Sequence, residues 1–157
     1  MEDKKMEMII EHLVPCRIAY VRQVGPYGPA NVQAMNKLKQ WANEKQMLTE
    51  AAILFGIPQD NPTTTPPEHC RYDAAIVFSE PEHSDDVSIE MGELPGGDYL
   101  ICKVRHTAED VQQAWNEIIP HLQNSSYVID HKPVLERYRW DLLEQHYCEI
   151  CVPVKKI

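Results

Sequence analysis

With 157 residues, 15 basic and 24 acidic side chains and a formal net charge of −9, the chain is long enough for one ordinary domain or two fused small halves around a real core. The acidic balance excludes a surface built to grip phosphate backbones by releasing counterions, so no direct nucleic-acid binding is expected. No signal-peptide pattern and no unbroken membrane-length apolar run occurs. The odd set of five cysteines (Cys16, Cys70, Cys102, Cys148, Cys151) suits buried free thiols in a cytoplasmic protein without a membrane role.

Residues 6–24 carry a strand pattern with a turn over 12–15. Gly25, Pro26, Tyr27, Gly28 and Pro29 then require a turn, because proline fixes φ and pushes the residue before it toward extended geometry. Val32, Met35, Leu38 and Trp41 or Ala42 recur every three or four positions, which predicts a helix. Residues 52–57 read as a short apolar strand. The prolines between 58 and 67 exclude both a ladder and a helix interior, so this stretch is a loop before strand resumes over 71–78. The acidic run 80–86 reads as a solvated linker.

The rest of the chain repeats this pattern. Residues 87–93 and 99–105 flank Leu94, Pro95, Gly96 and Gly97, predicting a hairpin. Thr107, Glu109 and Asp110 mark a helix start, the hydroxyl accepting from an orphan N–H and the acids favouring the positive end. Val111, Ala114, Trp115, Ile118, Ile119 and Leu122 form its apolar face, with Pro120 expected to weaken or end it. After a loop, 134–140 and 147–154 read as strands. The expectation is a single domain over 1–157 with pseudo-twofold halves at about 1–80 and 86–157. The predicted fold class is α+β: duplicated strand-helix-strand-strand units forming a curved antiparallel sheet, two helices on one face, and a central groove. Two helices cannot cover both faces of such a sheet, so the other face is expected to be partly open.

Alternation puts Cys148, Ile150, Val152 and Val154 on one apolar face and sends Tyr147, Glu149 and Cys151 the other way. Glu136, Tyr138 and Trp140 likewise share a face, opposite Leu135, Arg137 and Arg139. If these strands form a hairpin, Glu136 and Glu149 are expected to meet on the open face among the aromatics. A carboxylate held among rings binds a cation through charge and the negative ring faces. Kept from solvent, it also serves as a general base for water. The alternative is a pair of ordinary strand carboxylates beside Arg137 or Arg139.

Other chemistries find little support. No phosphate-binding glycine loop or nucleophile elbow is present, so no nucleotide cofactor is expected. Cys148 and Cys151 have metal-like spacing, but an odd separation on a strand sends the sulfurs to opposite faces, and no metal site is expected. His69 and Cys70 adjoin the proline loop with nothing in the sequence to orient them as a nucleophile pair.

The chain resembles the GyrI-like, or effector-binding, domain family of AraC-type and MerR-type regulators and free-standing gyrase inhibitors. The resemblance rests on Gly25-Pro26-Tyr27, Leu38 with Trp41, residues 57–62 and 70–73, the run from Pro95 to Tyr99, Pro133 to Glu136 with Tyr138, and Cys148 to Val154. It implies a free-standing bacterial member that binds a small, often apolar or cationic, molecule, with Glu136 and Glu149 as pocket carboxylates. Tyr27, Trp115, Tyr138 and Cys151 would line that pocket, and Tyr147 lies beside it. Cys151 departs from the aromatic that members often carry there, and Trp115 also lies on the apolar stripe. The resemblance leaves two alternatives to passive binding: hydrolysis of a strained, cyclopropanoid-type electrophile with Glu149 as base, or a gyrase-directed protein interaction through the acidic run. Any role in transcription would require a separate regulator as partner.

Overall fold

The computed structural model describes residues 7–78, 88–139 and 146–157; the expected linker at 80–86 and Trp140 lie outside them. In chain order the elements are β1 (Met8–Leu13), β2 (Cys16–Val24), α1 (Pro29–Glu44), β3 (Ile53–Pro58), a short 3₁₀ turn (Pro67–His69), β4 (Arg71–Val77), β5 (Glu90–Leu94), β6 (Gly97–Arg105), α2 (Ala108–Gln123), β7 (Tyr127–Ile129), β8 (Leu135–Arg139) and β9 (Tyr147–Lys156).

All pairings are antiparallel, in the order β1-β6-β9-β8-β3-β4-β2-β5, while β7 pairs with the far end of β9. The order reads alike from both ends about the central β8–β3 pair. One expectation fails. β5 and β6 do not form a hairpin: β5 lies against β2 at one end of the order, and β6 lies between β1 and β9 near the other.

The reason is in the linkers. Val14 and Pro15 join β1 to β2, and Pro95 and Gly96 join β5 to β6, although each linker connects strands from opposite ends of the order. Two residues span only about 7 Å, so the sheet must curl until its ends approach. The linkers then run side by side: a Cβ on Gly96 would strike the carbonyl oxygen of Leu13 and the ring of Pro15. Gly97, at φ 138°, holds a conformation that glycine adopts without the penalty of a side chain.

Both helices cover the convex side. On α1, Ala34, Met35, Leu38, Trp41 and Ala42 are buried, whereas the expected Val32 is exposed. On α2, Ala114, Ile118 and Leu122 are buried, Trp115 is half-buried and Ile119 is exposed. Thr107 Oγ1 accepts from the backbone N–H of Asp110 at 3.1 Å, the expected N-cap. The helix runs through Pro120 to Gln123, held by burial of Ile118 and Leu122 on either side.

The concave side is partly open, as expected, with a hollow of about 370 Å³ bordered by Tyr20, Arg22, Asp73 and Glu93, yet much of it is filled. Ile18, Phe55, Ile57, Ala75, Tyr99, Ile101, Leu135 and Cys151 form a second apolar layer inside the curl. Arg137 and Glu149 are buried there at 4% and 8% exposure. Among the described residues no helix is long and apolar enough to cross a membrane.

Candidate functional site

The β8–β9 register decides what each carboxylate faces. Leu135 pairs with Cys151, Glu136 with Ile150 and Arg137 with Glu149. Directly opposed residues share a face, so Glu136 goes with Ile150 to the helix side and Glu149 goes with Arg137 into the curl. The two carboxylates therefore do not meet, which corrects the expectation that they share the open face. The hairpin was expected correctly, but its register was not fixed by alternation alone, and one step of slip exchanges the faces.

Glu136 lies on the floor of a groove between α1 and α2. Three hollows of about 490, 300 and 370 Å³ all touch it. The proline loop with Gln59, Asp60 and Asn61 bounds one side; Asn31, Met35 and Lys39 of α1 bound another, and Trp115 of α2 faces the first and third hollows. Tyr138 donates its hydroxyl to Glu136 Oε2 at 2.5 Å, and the His106 ring meets Tyr138 edge-on at 5.2 Å. No ion pair among the described residues includes Glu136.

Tyr72, on β4, completes the floor. It reaches over Gly56, whose cross-strand partner is Glu136, and a Cβ on Gly56 would collide with the Tyr72 hydroxyl. The missing side chain is what lets the ring lie there. Burial first, and the nearby Glu136 carboxylate second, push the Tyr138 and Tyr72 hydroxyls well above the usual tyrosine range, so both stay protonated donors. Burial likewise pushes the Cys148 thiol beneath Glu136 up to about 12, which makes it a poor nucleophile.

A family model describing the GyrI-like small-molecule-binding domain matches residues 6–155. The chain belongs to the GyrI-like family. Its sequence is 38% identical over 151 residues to YosT of Bacillus subtilis (strain 168), an SPbeta prophage-derived protein named for transcriptional regulation, covering 96% of this chain and 100% of that one. Its fold is like that of the EcmrR C-terminal domain, with TM-score 0.71, 14% identity, and coverage of 97% and 99%. It spans 58% of the EcmrR chain in that protein's DNA complex. It also resembles SAV2435 bound to tetraphenylphosphonium, with TM-score 0.56, 16% identity, and coverage of 96% and 94%.

Within this GyrI-like frame, Glu136, Tyr138 and Trp115 come together in the groove. Tyr27 stands behind its wall: its hydroxyl donates to the Arg71 carbonyl at 2.7 Å and accepts from the backbone N–H of Asp60 at 3.1 Å, tying the proline loop to β4. Glu149, Cys151 and Tyr147 lie on the opposite face. Glu149 takes Arg137 Nε at 2.9 Å and Arg139 Nε at 2.8 Å, while Arg137 also reaches Glu11 at 3.2 Å. Burial pushes the Cys151 thiol up to about 12, and Lys103 Nζ lies 4.8 Å above the Tyr147 ring.

Sequence reasoning missed Tyr72, Met35, Asn31 and His106 as groove residues. Tyr72 had no local signal, because its place on the floor depends on the absent side chain at Gly56 on the neighbouring strand. His106 and Asn31 belong to helix entries with no pattern of their own.

Proposed function

We propose that the groove captures an amphipathic or cationic small molecule, with Glu136 supplying the charge and Tyr72, Tyr138 and Trp115 the aromatic walls. One observation carries this reading: a carboxylate on a groove floor, flanked by two tyrosines, with no ion pair among the described residues. Such a group attracts a cation by direct charge and through the negative faces of the rings. The family's small-molecule-binding character supports the class of ligand, and the tetraphenylphosphonium held by SAV2435 supports a lipophilic cation. The likeness to YosT supports a place in transcriptional control through a separate DNA-binding partner.

Titration with tetraphenylphosphonium, followed by tryptophan fluorescence, tests the proposal. Saturable binding is expected, weakened at least about tenfold (1.4 kcal/mol) by Glu136→Gln and left unchanged by Lys103→Ala on the other face. Binding indifferent to Glu136→Gln rejects it.

A second reading, hydrolysis of a strained electrophile, is favoured by one detail. Tyr138 occupies Oε2, leaving Oε1 without a protein donor among the described residues and so able to take a proton from water. Turnover of a cyclopropanoid substrate, lost in Glu136→Gln, would move the assignment from capture to catalysis.

A further inference from the structure

The two helical sides of the groove differ at places that correspond. Ala34, Leu38 and Ala42 are buried on α1 in the same rhythm as Ala114, Ile118 and Leu122 on α2. Matching these rhythms sets Met35 against Trp115 and Asn31 against Val111. At the matched places the α2 side is apolar while the α1 side carries an amide, and both sides border Glu136.

That amide is unsatisfied. Among the described residues, Asn31 Oδ1 is the one buried side-chain polar atom with no hydrogen-bond partner. An acceptor shut off from water without a donor in return is costly, so its retention calls for a donor from elsewhere. Asn31 lines the hollow of about 300 Å³ that Glu136, Tyr72 and Tyr138 also line. The last torsion of an asparagine is broad and soft, so a small turn directs the oxygen at an occupant of that hollow.

The protein's own donors there are committed or distant. Tyr138 gives its hydroxyl proton to Glu136, and Lys39 stands two turns further along α1, about 12 Å along the axis. A neutral donor would satisfy Asn31 and leave the charge of Glu136 unmet. A permanent cation would meet that charge and bring no proton to Asn31. A protonated amine does both.

We propose that Asn31 makes the groove selective for protonated amines, an inference that rests on the capture reading above. One ammonium N–H goes to Asn31 Oδ1, the positive charge faces Glu136, and the apolar body of the ligand lies toward Trp115. Tetraphenylphosphonium has no N–H and would use charge and ring contacts alone.

The test compares 2-naphthylmethylamine, protonated at neutral pH, with its N,N,N-trimethyl counterpart, which keeps the ring and the charge and lacks the N–H. Calorimetric titration is expected to show the amine binding about tenfold more tightly. Asn31→Leu, similar in size and without the acceptor, should weaken the amine about tenfold and erase the preference. The same variant should keep its affinity for tetraphenylphosphonium within about twofold and its urea midpoint no lower than that of the native chain. Asn31→Asp, which keeps an acceptor, should hold the amine at least as tightly as the native chain. Equal binding of the two naphthyl probes, amine binding indifferent to Asn31→Leu, or weakened amine binding in Asn31→Asp would overturn the inference. So would an equal loss of tetraphenylphosphonium, or a fall in the urea midpoint, in Asn31→Leu. If tetraphenylphosphonium binding still requires Glu136 in those cases, capture stands without Asn31; indifference of both the amine and tetraphenylphosphonium to Glu136→Gln rejects capture itself, and this inference with it.

Discussion

Glu136 and Glu149 sit on paired strands, one register step from sharing a face, and their surroundings differ in kind. Glu149 is buried inside the curl and held by Arg137 and Arg139, so its charge is cancelled where it is made. Glu136 looks into a groove with a tyrosine hydroxyl as its donor and no ion pair among the described residues. A hydrogen bond from a neutral group leaves the net charge in place, whereas an arginine removes it. Glu149 is neutralised within the fold, whereas Glu136 meets the groove with a hydrogen bond from Tyr138 and no ion pair among the described residues.

Replacing each acid separates these roles, and the largest effect is expected inside the curl. Glu149→Gln leaves Arg137 as a buried charge with reduced compensation, and urea denaturation should show a loss of about 3–5 kcal/mol. The matched Glu136→Gln should change stability by less than about 1 kcal/mol. Equal losses would erase the distinction between the two sites.

Gly56→Ala comes next. The added methyl must displace the Tyr72 hydroxyl from the groove floor, with an expected cost of about 1–3 kcal/mol and weaker binding of tetraphenylphosphonium in the same preparation. Tyr27→Phe removes the hydroxyl that ties the proline loop to β4. About 1 kcal/mol should be lost, and binding should weaken less than in Gly56→Ala, because Tyr27 positions the wall rather than forming it.

The smallest effect is one of pH. The Tyr72 and Tyr138 hydroxyls ionise at higher pH in the folded chain than in the unfolded one. Their contribution is therefore whole below about pH 10 and is lost as pH rises toward the folded values. Ultraviolet titration should show ionisation of exposed tyrosines before these two, and Glu136→Gln should narrow that gap.

Much of the architecture was legible because periodicity is local. The α1 face of Met35, Leu38, Trp41 and Ala42, the Thr107 cap and the β8–β9 hairpin each follow from a few neighbouring residues. Pairing between distant strands was not. Leu94-Pro95-Gly96-Gly97 has the composition of a hairpin turn, yet it serves as a crossover, because where β5 finds its partner depends on the curl of the whole sheet. The site was readable to the same depth. Glu136 and Tyr138 share a face by simple alternation, but which face of β9 they join required the register, and Tyr72 required the absent side chain at Gly56.

The paired two-residue crossovers have a kinetic corollary. Because β1 finds its partner in β6 and β5 finds its partner in β2, neither the stretch before β5 nor the stretch from it onward can saturate its own strand edges. Folding must wait for remote segments to meet, a high-contact-order route that is slow by comparison with locally wired folds. A nascent chain released before β6 would expose unpaired ladder positions to its neighbours, so the same wiring that locks the finished molecule makes its incomplete forms prone to associate.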